Sequence, residues 1–190
     1  MGYQDIPGHS NFLPLYDAFV ERAKDGDIAV EVGVALGHSA AYLQRKILDS
    51  GKKITVYAVD PWAGTARNGE QQQALGGEPC PGDFSLYCQY MMKFCPEEFE
   101  LVRPIRLYSV EAAQLFGNRS LDMVLIDGCH GYKSVVADID AWRLKVKVGG
   151  ILGGDDHEPN YPGVEKACIE CFGPAPENYI AQDGFFYKIM

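Results

Sequence analysis

The sequence predicts a Rossmann-like α/β fold: a doubly wound, mostly parallel sheet finished by a C-terminal antiparallel hairpin. Three observations predict it. Short runs of Val, Ile, Ala and Leu alternate with stretches of helical apolar period. Residues 28–59 fit one complete strand–helix–strand unit. Two apolar runs near the C-terminus are separated by Gln182-Asp183-Gly184, and Asp-Gly in that setting signals a hairpin turn.

The elements follow in order. Phe12, Leu15, Tyr16, Phe19 and Val20 form the apolar stripe of a first helix over residues 10–24, with Ser10 as its N-cap. Asp25-Gly26-Asp27 breaks it, and Ile28-Ala29-Val30-Glu31-Val32 reads as a buried strand ending at Gly33. A helix from His38 to Asp49 carries Ala40, Leu43 and Ile47 and stops at Gly51. The second strand, Ile54 to Val59, ends at Asp60-Pro61. Residues 63–96 then form a lid-like insertion: a Gly- and Pro-rich loop, and a helix faced by Phe84, Tyr87, Cys88, Met91 and Cys95. A short strand lies around Leu101-Val102 or Ile105-Leu107, and Ser109 opens a short helix. Leu121 to Ile126 is a strand ending at Asp127-Gly128. The helix of Val135, Ile139 and Trp142 is closed by Gly149-Gly150, and Ile151-Leu152 leads to Asp155-Asp156. The whole, residues 1–190, reads as a single domain.

Composition narrows the function classes. The chain is 47% hydrophobic and 23% charged, close to globular averages. Its net charge of −9 makes it a poor general binder of phosphate backbones, so no nucleic-acid partner is expected. No apolar run is long enough to span a bilayer, and the N-terminus lacks the pattern of a secretory signal, so the expected compartment is the cytoplasm. Six cysteines are expected to be reduced thiols; Cys168 and Cys171 fall on one apolar helix face with Val164, Ala167 and Phe172, and no second Cys-x-x-Cys completes a zinc site.

Ligands of open α/β sheets bind off the carboxyl ends of the strands. Five acids gather there: Glu31, Asp60, Asp127, Asp155 and Asp156. The turn from Gly33 to Gly37 has the spacing G-x-x-x-G, not the G-x-G-x-x-G of pyrophosphate binding. Glu31, two residues before Gly33, would repel a pyrophosphate and suit an ammonium or sulfonium. Asp60, ending the next strand, is placed to accept ribose hydroxyls. An adenosine that carries positive charge instead of phosphates is S-adenosylmethionine. Ser109 is placed near the adenine, or else is an ordinary N-cap. Trp62 packs either on the ligand or in the core, and Phe84, Tyr87 and Tyr90 are either a sugar platform or helix core. His9 and His38 look incidental, although His38 borders the glycine loop.

The segments Leu125-Ile126-Asp127-Gly128-Cys129-His130-Gly131-Tyr132 and Gly149-Gly150-Ile151-Leu152-Gly153-Gly154-Asp155-Asp156-His157 resemble class I S-adenosylmethionine-dependent methyltransferases. Within that class they are similar to the metal-dependent macrocin-type O-methyltransferases that modify sugar hydroxyls. The resemblance covers roughly residues 25 to 190. It implies that Asp127, Asp155 and Asp156 hold Mg²⁺ or another divalent cation. Catechol O-methyltransferase places its metal ligands on the same strand ends. It further implies a small-molecule hydroxyl acceptor, glycosylated in such relatives, and a tendency to homo-oligomers.

Physical chemistry supports this ligand set. Mg²⁺ prefers carboxylate and water oxygens and lowers the pKa of a coordinated hydroxyl. Adjacent strand residues point to opposite faces, so Asp155 and Asp156 can share one ion only if the chain turns, and Gly153-Gly154 suggests where. In the related enzymes the base is often an acid two residues past the first metal aspartate; Cys129 stands there, and the expected base is His130, with His157 a weaker candidate. The rival readings are a metal-independent N- or carboxyl-methyltransferase of the same fold, a non-catalytic S-adenosylmethionine-binding module, and a nucleotide-dependent oxidoreductase, which the glycine spacing disfavours.

Overall fold

The computed structural model describes residues 2–63 and 84–190. Their strands form one seven-stranded sheet of order β3-β2-β1-β4-β5-β7-β6. The first five strands are parallel: β1 (Ile28–Val32), β2 (Thr55–Val59), β3 (Arg103–Ile105), β4 (Leu121–Ile126) and β5 (Val146–Gly154). The last two, β6 (Ile180–Gln182) and β7 (Phe185–Ile189), run antiparallel at one edge. Asp183 and Gly184 both take positive φ, 51° and 86°, the twisted two-residue turn that joins such strands.

The strand pleat sends alternate side chains to two helical layers. Ala29, Val56, Ala58, Met123, Leu125, Ile151 and Phe185 face one core. Against it lie α1 (Leu13–Arg22), α2 (His38–Ser50) and α3 (Phe84–Phe94). Val30, Val32, Val124, Ile126, Leu152 and Phe186 face the other. That second layer holds α5 (Ser109–Ala113), α6 (Tyr132–Arg143) and α7 (Pro162–Phe172); a short α4 (Pro96–Leu101) precedes β3. Val164, Ala167 and Cys168 are the buried residues of α7, and burial pushes the Cys168 thiol well up, as expected of a core thiol.

Several boundaries differ from the sequence expectation, each for a local reason. The N-cap of α1 is Phe12, not Ser10, whose hydroxyl lies 3.5 Å from His38 Nδ1 instead. The third strand is Arg103–Ile105; it tolerates Pro104 because it pairs only with β2, at the sheet edge. Gly149-Gly150 does not end α6. It lies inside β5, with φ of 83° at Gly149 and a register shift against β4, the mark of a bulge.

The insertion of residues 63–96 divides. Residues 64–83 lie outside the described residues, and Cys80 with them. The helix Phe84–Phe94 is core: Tyr87 and Met91 are fully buried. Both press on Gly37, where an added Cβ would lie 2.6 Å from Met91 Sδ, so this helix is a wall of the fold.

Candidate active site at the carboxyl edge of the sheet

Backbone hydrogen bonds set the acidic residues at one level. Asp60 N–H donates to Ile105 of β3 (3.1 Å), Gly33 N–H to Val59 of β2 (2.8 Å), Asp127 N–H to Val32 of β1 (2.7 Å), and Asp155 N–H to Ile126 of β4 (3.0 Å). Each residue just past its strand is thus tied to the last residue of its neighbour. Asp60, Gly33, Asp127 and Asp155 form a row across the sheet edge.

The row leaves no space for a side chain at Gly33. Its φ is +88°, and an added Cβ would stand 1.8 Å from the Asp127 carbonyl oxygen. Both φ and close approach demand glycine. Gly37 repeats the demand, with φ of +96° at the mouth of α2.

Asp60 holds the loop between these glycines. Its Oδ2 accepts the N–H groups of Val34 and Ala35, each at 3.0 Å, and its Oδ1 accepts Trp62 N–H at 2.7 Å. Trp62 is 4% exposed and packs on Phe84 and Tyr87 with ring centroids at 5.0 and 4.8 Å, so it is core; Tyr87 is core with it, and the partly buried Phe84 packs against them. His38 edges onto Tyr3 beneath the N-terminal segment.

Glu31 is completely buried, and its carboxyl oxygens accept the hydroxyls of Tyr16 (2.7 Å) and Ser39. Burial pushes its pKa up to about 7, against those two hydrogen bonds, which pull it down. Glu31 therefore ties α1, β1 and α2 together underneath the loop. Ser109 is also engaged. It is the first residue of α5, whose N-cap is Tyr108, and its hydroxyl accepts Trp142 Nε1–H at 2.9 Å and bonds the buried Asp138 of α6. Burial raises Asp138 to about 6.

At β4 and β5 the acids crowd a small pocket lined by Asp127, Cys129, His130, Asp155 and Asp156. Asp127, His130 and Asp156 offer ligand atoms all within 4.8 Å of one another, the one such grouping among the described residues. The membership differs from the expected Asp127, Asp155 and Asp156. His130 Nε2 lies 2.7 Å from Asp156 Oδ2. Asp155 lies outside that set, and its Oδ1 is buried with no hydrogen-bond partner. The turn that brings Asp156 round is not at Gly153-Gly154, which stay in β5 against Phe186; it is at Asp156 itself, with φ of 60°. A bonded Asx or Gly is the usual way to afford such a φ.

Burial, then the charges of Asp155, Asp156, Glu31 and Asp60, holds the Asp127 carboxyl well above the ordinary carboxylate range. Burial lifts Asp155 to about 6; a backbone hydrogen bond from Asp156 pulls it down, the charges of Asp156 and Glu158 lift it, and that of His9 lowers it. A divalent cation is the natural partner for carboxylates so crowded and for an orphaned buried oxygen. His157 is spoken for elsewhere: its Nε2 is 3.0 Å from Tyr179 OH.

Sequence reasoning missed the His130–Asp156 pair, the clamp of Trp62 on Ala35, and the buried Asp138. Only the tryptophan after Asp60-Pro61 left a trace in the sequence.

The protein family described as a methyltransferase domain matches residues 30–157, which span the glycine loop, Asp60, Asp127 and both terminal aspartates. No curated protein matches the chain by sequence. Solved structures do. The O-methyltransferase NovP is 20% identical with a TM-score of 0.65, covering 98% of this chain and 84% of its own. An rRNA methylase from Streptococcus thermophilus is 15% identical with a TM-score of 0.57, covering 94% of each chain. A Streptococcus mutans protein solved in complex with SAH is 11% identical with a TM-score of 0.58, covering 95% and 97%. At these identities the likeness is one of fold. With the family match across the carboxyl ends of all five parallel strands, this chain belongs to the methyltransferase-domain family and is a class I S-adenosylmethionine-dependent methyltransferase.

Proposed function

We propose that the protein is a divalent-cation-dependent O-methyltransferase, using Mg²⁺ in the first instance, that acts on a hydroxyl of a small, glycosylated molecule. The observation that carries this reading is the convergence of Asp127, His130 and Asp156 beside the orphaned Asp155 carboxylate. Metal-independent N-methylation has no use for that arrangement. The negative charge of −9 supports a small acceptor over RNA, although rRNA methylases share the fold.

In this reading the cation is held by Asp127 and Asp156, with Asp155 Oδ1 the remaining protein donor; when bound, it supplies acidity to the acceptor hydroxyl. Gly33, Gly37 and Asp60 receive the methyl donor, with Ser109 in the adenine wall and Glu31 supporting the loop from beneath. The Nε2 proton of His130 donates to Asp156, which leaves Nδ1 as the lone-pair nitrogen that accepts the hydroxyl proton. The acceptor oxygen forms a bond to the methyl carbon as the carbon–sulfur bond breaks, its electron pair leaving on sulfur. The residues' contribution is chiefly alignment of oxygen, carbon and sulfur.

The test is formation of S-adenosylhomocysteine with a panel of glycosylated hydroxyl compounds, with and without EDTA. Turnover restored by Mg²⁺ after chelation is the expected result. Turnover indifferent to EDTA would overturn the metal-dependent reading.

A further inference from the structure

We propose that Trp62 is a positioning residue for the methyl donor: it clamps the Val34-Ala35 loop in a strained shape and so sets donor affinity. The inference rests on the reading of the Gly33–Gly37 loop and Asp60 as the donor site.

The clamp is a closed ring of hydrogen bonds. Asp60 Oδ2 accepts Ala35 N–H at 3.0 Å, and Asp60 Oδ1 accepts the Trp62 backbone N–H at 2.7 Å. The Trp62 indole Nε1–H then returns to the Ala35 carbonyl at 2.8 Å. Two residues of this ring sit in left-handed backbone, Ala35 at φ of 47° and Trp62 at 42°. Neither is glycine, and a bulky residue there is a genuine outlier that costs about 1–2 kcal/mol. Such conformations persist where their surroundings over-determine them, and they gather at ligand clamps.

The surroundings do over-determine this one. Trp62 is 4% exposed and wedged by Phe84 and Tyr87. Tyr87 in turn abuts Gly37, the far end of the same loop. The indole is thus braced against the wall that fixes one end of the loop, while its N–H fixes the middle. Without that N–H, only the Asp60 carboxylate of the ring holds Ala35 in place, through the Ala35 N–H, and the Ala35 carbonyl is free to move as the residue relaxes toward negative φ, which would turn the peptide away from the donor.

The experiment is calorimetric titration of S-adenosylhomocysteine into wild type, Trp62→Phe, Ala35→Gly and the double variant. Trp62→Phe keeps an aromatic ring and deletes the N–H; the expected loss is about 5- to 10-fold in Kd, the worth of one buried hydrogen bond. Ala35→Gly removes the cost of positive φ, so in that background the Trp62→Phe loss is expected to shrink to about twofold or less. The urea midpoint of Ala35→Gly/Trp62→Phe against Ala35→Gly serves as the structural control. Equal affinity of Trp62→Phe and wild type overturns the proposal, as does the same loss in both backgrounds. Should Trp62→Phe fail to fold, Trp62→Met deletes the same donor with a flexible apolar side chain and is read the same way. A wild type that binds no S-adenosylhomocysteine overturns the donor-site reading itself, and the clamp with it.

Discussion

The Cα of Gly33 presses so closely on Asp127 that an added Cβ would stand 1.8 Å from the Asp127 carbonyl oxygen. The Gly33–Gly37 loop and the strand that presents Asp127 therefore share one backbone contact. Gly33→Ala must either move β4 or abandon a φ of +88°. The expected cost exceeds ~3 kcal/mol in urea unfolding, or the variant fails to accumulate. A loss under ~1 kcal/mol would show that the edge is looser than its hydrogen bonds indicate.

Asp127 carries the repulsion of four neighbouring acids as well as burial. Asp127→Asn removes a carboxyl whose charge burial and those neighbours disfavour. The metal-free variant is expected to be more stable than wild type by about 1 kcal/mol at pH 8. Its Mn²⁺ affinity, followed by electron paramagnetic resonance, is expected to fall at least ~10-fold, while S-adenosylhomocysteine binds within ~3-fold of wild type. Parallel losses of metal and nucleoside would remove the role assigned to Asp127.

Glu31 gives a pH dependence of known sign. Its pKa in the fold is about 7 against 4.5 for an ordinary glutamate, so between those values the folded chain binds the proton more tightly than the unfolded chain does. The corresponding stability is present below pH 4.5 and is lost as pH rises through about 7. The span is worth about 3 kcal/mol. Glu31→Gln is expected to flatten the fall in urea midpoint between pH 5 and 8, and an unchanged slope would place the proton elsewhere.

Asp60 spends three acceptor positions on the N–H groups of Val34, Ala35 and Trp62. A carboxylate has about four. One ribose hydroxyl can therefore bond without displacing the loop, and a second cannot. The 2′-deoxy and 3′-deoxy forms of S-adenosylhomocysteine are expected to lose affinity unequally, one by about 10-fold and the other by less than about 3-fold. Equal losses would mean that binding rebuilds the Asp60 hydrogen bonds.

The fold was legible because the core strands are short apolar runs bounded by Gly and Asp, and Val30, Val124 and Leu152 can be read without knowing their partners. Gly33 and Asp60 were legible because chain position alone places them at strand ends. Other roles depend on distant partners. Glu31 reads as a ligand group until Tyr16, on a helix upstream, is seen to occupy its oxygen. Ser109 reads as an adenine contact or a cap, and the chain alone gives no sign that Trp142, 33 residues on, donates to its hydroxyl. The bulge at Gly149 and the left-handed turn at Asp156 are backbone events that Gly-Gly and Asp-Asp spell ambiguously. The pairing of His130 with Asp156 follows from that turn.

The hairpin of β6 and β7 reaches back to the beginning of the chain. An added Cβ on Gly184 would stand 2.7 Å from Asn11 Nδ2, and the Gly184 carbonyl accepts His157 N–H at 2.7 Å. His157 directly follows the two terminal aspartates. One backbone hydrogen bond thus ties the hairpin turn to the segment that carries Asp155 and Asp156. Any change that lengthens or loosens the 182–184 turn would therefore reach the acid-rich edge through the backbone, without touching a carboxylate.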